Sequence, residues 1–580
     1  MNLSINKFFL YFYSNMAKQK PQQKKIPIQP LQPLPQMAKP WQLQKPMLWL
    51  AIVVVAVYAI SLSFGLTELD DIIFMRELKP YYEDMGNLLT SFHRGLFHPT
   101  NDMYYRPLFM DMMLLNYKLA GDNILAYHLV NMQLHMGAVL LLFTLLKKMG
   151  LKELHAFVLA LVFAVHPVLS QAVAWIPGRN DTMLAVFTLS FFIFSINYYN
   201  DSKIKWLLLG GLMLLGAFFT KETAIFNAPI AFIILVIILR KPWLDKRMLV
   251  QYGVWIAAAG IWYVVRANAT LTWTYADTHQ ITSDFLHHLP VLVQYTGKIF
   301  FPFNLNVFPI IEDTVYYYGI AAIVLLIVLL YLNKNRDIRT ILGGLAIFLL
   351  FLLPALLVPN KMNDQSFEHR LYLPMLGMLL LLSQTILIQN KIEDKQLFYR
   401  YIVLAILLAA ININHQQYFK DPLSFWKKAQ LASPHSAYAT MMLGERLTDN
   451  LPQAYELLRR SYAMDSTEKY INYYYGMMLQ NEDSMLQAEK YFKKEKEISG
   501  FAECDFLLAK VAFNKKDYVS AQHYLENYIA VDTVNRIAHN NLLMLYLQQQ
   551  EYTKAHDQLK RMQQIGFQID QQLLDSVNKH

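Results

Sequence analysis

The feature that most constrains this chain is a succession of apolar stretches long enough to cross the roughly 30 Å hydrocarbon core of a bilayer, which takes about 17 to 25 helical residues. They fall near residues 47–66, 124–146, 154–170, 182–198, 205–220, 223–239, 248–265, 315–332, 341–358, 371–388 and 399–413, eleven in all. Composition agrees: of 580 residues, 55% are hydrophobic and only 16% charged, which is too apolar for a soluble chain of this size. A multi-pass membrane protein is expected.

Orientation follows from the turns. Those carrying Lys147, Lys148 and Lys152, then Lys203 and Lys205, then Arg240, Lys241, Lys246 and Arg247, then Lys334, Arg336 and Arg339, then Lys391 and Lys395 alternate with less basic ones. The positive-inside rule makes them cytoplasmic. Eleven spans from an inside N-terminus put the other loops and the C-terminal tail outside. The segment FLHHLPVLVQYTGKIFFPF, 285–303, would spoil this alternation as a span and is read as re-entrant or interfacial. Residues 1–46, rich in Pro, Gln and Lys, read as a disordered basic cytoplasmic arm, and FFLYFY within them is too short for a signal peptide. The net charge of +9 sits in this arm and the basic turns, so no nucleic-acid partner is expected. A single cysteine, Cys504, excludes an intramolecular disulfide and a thiolate metal cluster.

Polar residues near the spans are unevenly divided. Asp70, Asp71, Arg76, His93, His98, Arg106, His166, Arg179, Asn180, Asp181, Lys221, Glu222, Arg266, Glu368, His369 and Arg370 all fall on the outer side. Charges at helix mouths are costly unless paired or solvated, so their convergence implies a polar cavity opening outward. Single members also admit interfacial snorkelling.

Beyond about His415 the composition changes to that of soluble helix, and a repeat emerges. Ala454, Ala488, Ala521 and Ala555 recur at 33 to 34 residues, each followed four positions on by Leu458, Phe492, Leu525 or Leu559. This is tetratricopeptide spacing, in which a small residue lets paired helices pack closely. The units QNEDSMLQAEKYF, NKKDYVSAQHYL and QQEYTKAHDQL each place a polar turn before the alanine, while LTDNLPQAYELL is looser. The expected organisation is thus all-α: a membrane domain over 47–414 with a first outer loop at 67–123, and a repeat solenoid over 415–580.

Two outer-face stretches are the most specific: YYRPLFMDMMLLNYKLAGDNILAYHLVNMQLH, 104–135, and FAVHPVLSQAVAWIPGRNDTMLA, 163–185. Together with LDD at 69–71, FTKETAI at 219–225 and EHRLYLP at 368–374, they resemble the transmembrane and tetratricopeptide repeat-containing (TMTC) proteins, themselves similar to protein O-mannosyltransferases. The resemblance implies a C-type glycosyltransferase (GT-C) bundle whose first outer loop holds a catalytic acid and a helix lying in the interface, here RPLFMDMMLLNYKLAG. It further implies a polyprenyl-phosphate monosaccharide donor, mannose or another hexose, and a Ser or Thr hydroxyl of a translocated protein as acceptor.

The residues suit that chemistry. Attack on the anomeric carbon needs a carboxylate to take the acceptor proton, and Asp70 or Asp71 fits. The leaving lipid phosphate needs cationic donors, for which Arg106, Arg179, Arg370, Lys221 and the lesser candidate His166 are available, with Asp181, Glu222, Glu368 and His369 supporting. A single displacement by a base, with no enzyme nucleophile, inverts configuration. Quieter readings stand beside these: Asp70 and Asp71 as caps, Asp181 as a cap, His166-Pro167 as a helix end, Lys221 and Glu222 as a local ion pair. Adjacent acids could hold a divalent cation, but no cluster is dense enough to demand one, so neither metal nor cofactor is expected. A glycan polymerase or ligase acting on lipid-linked oligosaccharide, and a non-enzymatic scaffold displaying repeats, are the competing functions. Asn, Lys and Ile usage points to a bacterial inner membrane with periplasmic repeats, the endoplasmic reticulum with luminal repeats being the alternative.

Overall fold

The computed structural model describes residues 43–97, 104–269, 278–357, 365–389, 394–482 and 484–579. The arm expected at 1–46 lies almost wholly outside them. The described residues form helices throughout, joined by short turns and one isolated antiparallel bridge between Ile310 and Gln365.

Each of the eleven apolar stretches becomes helical, but they are not equal. Among the described residues six helices are long and apolar enough to cross a bilayer: Pro46–Ser63, Ile124–Lys148, Ile176–Asp201, Lys246–Asn268, Ile338–Leu356 and Lys395–Phe419. A seventh is the pair Glu153–Val165 and Pro167–Ala174, bent by 53°. The bend has a local cause, because Pro167 has no amide to donate and forces His166 into extended geometry, φ −66° and ψ 123°. Four others, Ile204–Phe218, Glu222–Ile238, Tyr317–Leu332 and Pro374–Ser383, have only 10 to 17 residues. Fifteen residues rise about 22 Å, short of the hydrocarbon thickness. Length and composition therefore mark six or seven crossings among the described residues, and the expected eleven are not all marked by length.

The segment at 285–303 breaks into parts of two helices, Thr278–His288 and Val291–Phe300, and neither is among the candidate spans. The second packs backbone to backbone on Tyr317–Leu332: a Cβ on Gly297 would stand 2.6 Å from the Gly319 amide nitrogen. Helix Pro107–Ala120, the expected interface helix, buries Phe109, Met110, Met113 and Leu114 against Phe74 and Tyr82 and leaves Leu115 and Leu119 exposed.

Two of the basic turns meet at one end of the helices. Arg240 and Asp337, from two basic turns, pair at 3.0 Å. At the other end Phe64, Trp175, Phe308 and Phe367 share one apolar core with Phe425, Trp426, Met441 and Leu458 of the C-terminal helices. Those helices run as hairpins from Pro422–Ala432 to Gln571–Asn578. The four periodic alanines are buried within them, and Ala454 and Leu458 meet Gly444, where a Cβ would lie 3.1 Å from the Ala454 carbonyl. Gly476 likewise leaves room for the ring of Phe492. Small residues thus set the hairpin spacing.

Candidate active site

After Ser63 the chain leaves its helix, turns at Glu68 with φ +57°, and re-enters a helix at Asp71. Asp71 makes this turn. Its Oδ2 accepts from the Thr67 amide at 2.6 Å and the Thr67 hydroxyl at 3.0 Å, and its Oδ1 accepts from the Leu69 amide at 3.0 Å. The side chain is buried and fully occupied. Asp70 is half-buried, and its carboxylate accepts no hydrogen bond from any described residue. Burial pushes the Asp70 carboxyl up to about 6, the charge of Asp71 adds to the rise, and Arg106 opposes it.

A group of charged pairs faces it. Arg106 donates from Nε and Nη2 to Glu222 Oε2 at 3.1 and 3.0 Å, and Glu222 Oε1 also accepts the Tyr105 amide at 3.0 Å. Lys221 pairs with Asp181 at 2.7 Å. Tyr104 lies under the Arg106 guanidinium at 4.7 Å and within the fields of Asp70, Glu222 and Arg370. His369 senses Lys221, Arg370 and Arg106, and burial with these charges holds its imidazole well below its ordinary value, hence neutral. Its Nδ1 is buried without a partner among the described residues, its ring stacks on Phe367, and its backbone amide donates to Gln171 Oε1 at 3.2 Å. Burial pushes the Glu222 carboxyl up, but Arg106 outweighs it and holds it below the ordinary value.

Arg370 differs from the other two cations. Its Nη1 donates to the Gln365 carbonyl at 2.8 Å, and among the described residues it has no carboxylate within ion-pair distance. Asp70, Arg106, Asp181, Lys221, Glu222, His369 and Arg370 therefore form one electrostatic cluster, with Asp70 its unbonded acid and Arg370 its uncompensated base.

Three of the residues expected at the site are engaged elsewhere. Arg179 is fully buried and donates to Asn131 Oδ1 at 2.8 Å, the Tyr127 carbonyl at 2.9 Å and Met113 Sδ at 3.3 Å, which ties the first outer loop to two long helices. His166 uses both ring nitrogens, against the Ile299 carbonyl at 2.8 Å and the Val168 amide at 3.2 Å. Glu368 is fully buried and accepts from Lys298 at 2.8 Å, the Asn306 amide at 2.7 Å and His415 at 3.2 Å. Bonded within the protein, all three hold the frame around the cluster. Sequence reading missed Tyr104, though it stands inside a stretch singled out, and missed Arg446, a repeat residue that no local pattern marks.

The described residues thus form an apolar helical bundle with acid-base pairs at one end, covered there by helical hairpins. Residues 104–265 match the family model described as dolichyl-phosphate-mannose-protein mannosyltransferase. Protein O-mannosyl-transferase F38B6.6 of Caenorhabditis elegans is 34% identical over 134 residues, 22% of this chain and 18% of that protein. Protein O-mannosyl-transferase TMTC2 of Homo sapiens is 36% identical over 139 residues, 23% and 16% respectively, and TMTC1 of Mus musculus 41% over 105, 17% and 11%. The chain is similar to these proteins over those stretches alone, and the matches span less than a fifth of those relatives' length. Among solved structures the APC/C hetero-tetramer Cut9-Hcn1 aligns over 92% of this chain and 98% of that one at 13% identity and a TM-score of 0.25, which carries no argument.

Proposed function

We propose that this protein is a membrane glycosyltransferase that moves a monosaccharide, mannose or another hexose, from a polyprenyl-phosphate donor to a Ser or Thr hydroxyl of a protein acceptor. The observation that carries the reading is the Asp70 carboxylate, which accepts no hydrogen bond from a described residue and lies in the field of Arg106, in a cluster whose Arg370 has no carboxylate partner among the described residues. The acceptor oxygen attacks the anomeric carbon as the bond from that carbon to the phosphate oxygen breaks. Asp70 takes the hydroxyl proton, polyprenyl phosphate leaves into the field of Arg370 and Lys221, and configuration inverts. Arg106 serves through Glu222, fixing the loop that bears Tyr104 and Tyr105.

The rest of the reading extends from this. The bilayer supplies the donor, the 1–46 arm is cytoplasmic, and the outer loops and repeats face the periplasm of a bacterial inner membrane, or the endoplasmic reticulum lumen in a eukaryote. The repeats hold the acceptor protein. No metal or cofactor takes part, so EDTA leaves the rate unchanged. Purified protein given labelled polyprenyl-phosphate mannose and a Ser/Thr peptide should label the peptide. Label entering a lipid-linked glycan instead would make it a polymerase, and no transfer to either would leave the scaffold.

A further inference from the structure

The repeat hairpins do more than lie near the first outer loop. Glu68, two residues before Asp70, divides its carboxylate between two arginines: Oε1 meets Arg76 of the same loop at 3.1 Å, and Oε2 meets Arg446 at 2.7 Å. Arg446 is the last residue of repeat helix Ala437–Arg446, where it also contacts Glu445. The Glu68 and Arg446 side chains are each 16% exposed, so water screens this pair weakly. Arg76, at 61%, is a solvated partner of small energetic consequence.

Three further observations bear on the same short segment. Glu68 holds φ +57°, a left-handed conformation that a non-glycine residue keeps only when its surroundings enforce it. Leu69 packs into the apolar core shared with Trp426, Tyr438 and Leu443 of the first repeat helices. Tyr438 lies within the field of Asp70. The residues on either side of the turn are thus gripped from the repeats by one charge pair and one apolar contact, while Asp71 closes the turn from within.

We infer that Arg446 is a positioning residue for the proposed transfer, acting through Glu68 to fix the direction of the Asp70 carboxylate, so that the first repeat hairpin forms a wall of the active site. The inference rests on Asp70 being the base. A general base works only within hydrogen-bond reach of the proton it takes, and a displacement near 1 Å costs about 10²-fold in rate.

The test uses the full-length protein in detergent with polyprenyl-phosphate mannose and a short Ser/Thr peptide that is too small to need recruitment. Arg446→Gln should lower kcat roughly 10- to 100-fold and leave donor KM unchanged, and Arg446→Lys should recover part of it. Glu68→Gln should give a similar loss, and the double variant no more than the larger single loss, as for one interaction broken from either side. Arg459→Gln, which breaks an exposed pair with Glu482 elsewhere on the repeats, is the control and should leave kcat unchanged. Amide hydrogen exchange over residues 66–72 should quicken in Arg446→Gln whatever the activity. If Arg446→Gln keeps full kcat on the short peptide, or loses only transfer to whole proteins, the inference is overturned and the repeats merely recruit. If wild type transfers nothing while exchange still quickens, the clamp stands and the transferase reading falls.

Discussion

Asp70 and Asp71 are neighbours in sequence and opposite in circumstance: Asp71 accepts three hydrogen bonds from Thr67 and Leu69, while Asp70 accepts none from a described residue. Asp71 is thus taken up in holding the turn, and Asp70 is the acid left for the proposed transfer.

The two asparagine variants should accordingly separate. In Asp70→Asn no hydrogen bond from a described residue is lost but the proton acceptor is, so transfer should fall roughly 10²- to 10⁴-fold with folding intact. In Asp71→Asn the amide nitrogen faces a donor that the carboxylate satisfied, which costs about 1–3 kcal/mol and loosens the turn. Thermal unfolding beside initial rates distinguishes them. Unchanged transfer in Asp70→Asn would sink the assignment.

The pH profile follows from the same carboxyl. With Asp70 raised to about 6, kcat/KM should climb as pH passes through about 6 and level off above it, since only the ionised form accepts a proton. Stability moves the other way. The folded state binds this proton more tightly than the unfolded chain, so the Asp70 contribution declines between about pH 4 and pH 6 and stays lost above. Asp70→Asn should therefore stabilise the protein at pH 7.5 by about 1–3 kcal/mol, and a melting curve that moves down instead would contradict it.

The cations should divide as well. Arg370→Lys loses the planar fork at a cluster cation that has no carboxylate partner among the described residues, so donor KM should rise roughly 10- to 100-fold with little change in peptide KM. Arg106→Lys breaks a bidentate pair with Glu222 and should lower stability, with donor KM following only as far as the loop moves. Equal donor effects from both would place the phosphate nearer Arg106 than this reading does.

Much of the helical layout was legible because apolar length and alanine period are local properties. Ala454 and Ala555 could be read as helix-packing positions 101 residues apart without knowing what they touch. The gathering of Asp70, Arg106, Asp181, Lys221, Glu222, His369 and Arg370 in one cluster was legible for a similar reason, since all fall near the ends of apolar stretches along the chain. Roles among such residues were not. Arg179 and Arg370 look alike in sequence, and only long-range contacts show that Asn131, 48 residues away, has taken the guanidinium of the first. Arg446 was invisible because its partner, Glu68, is hundreds of residues distant and tertiary pairing leaves no periodic trace. Span number fails differently: helices of 10 to 17 residues do not declare by length alone whether they cross.

Glu368 offers the sharpest contrast with the cluster beside it. It follows Phe367 and precedes His369, yet its carboxylate turns away to Lys298, Asn306 and His415, with both Glu368 and Lys298 at most 1% exposed. Burial pushes its carboxyl up, but Lys298 and His415 outweigh this and hold it below the ordinary value. Its stabilisation is thus present above the unfolded carboxyl value, near 4, and lost as pH falls through the lower folded value. Glu368→Gln keeps the shape but strands the Lys298 charge in a dry site, which should cost about 3–5 kcal/mol in thermal or denaturant unfolding. Replacing both partners, Lys298→Met with Glu368→Leu, removes the stranded charge and should restore most of that stability. Transfer activity should follow the folded fraction in each variant. If the apolar pair melts near wild type but transfers nothing, Glu368 or Lys298 touches the reaction and the frame assignment is wrong.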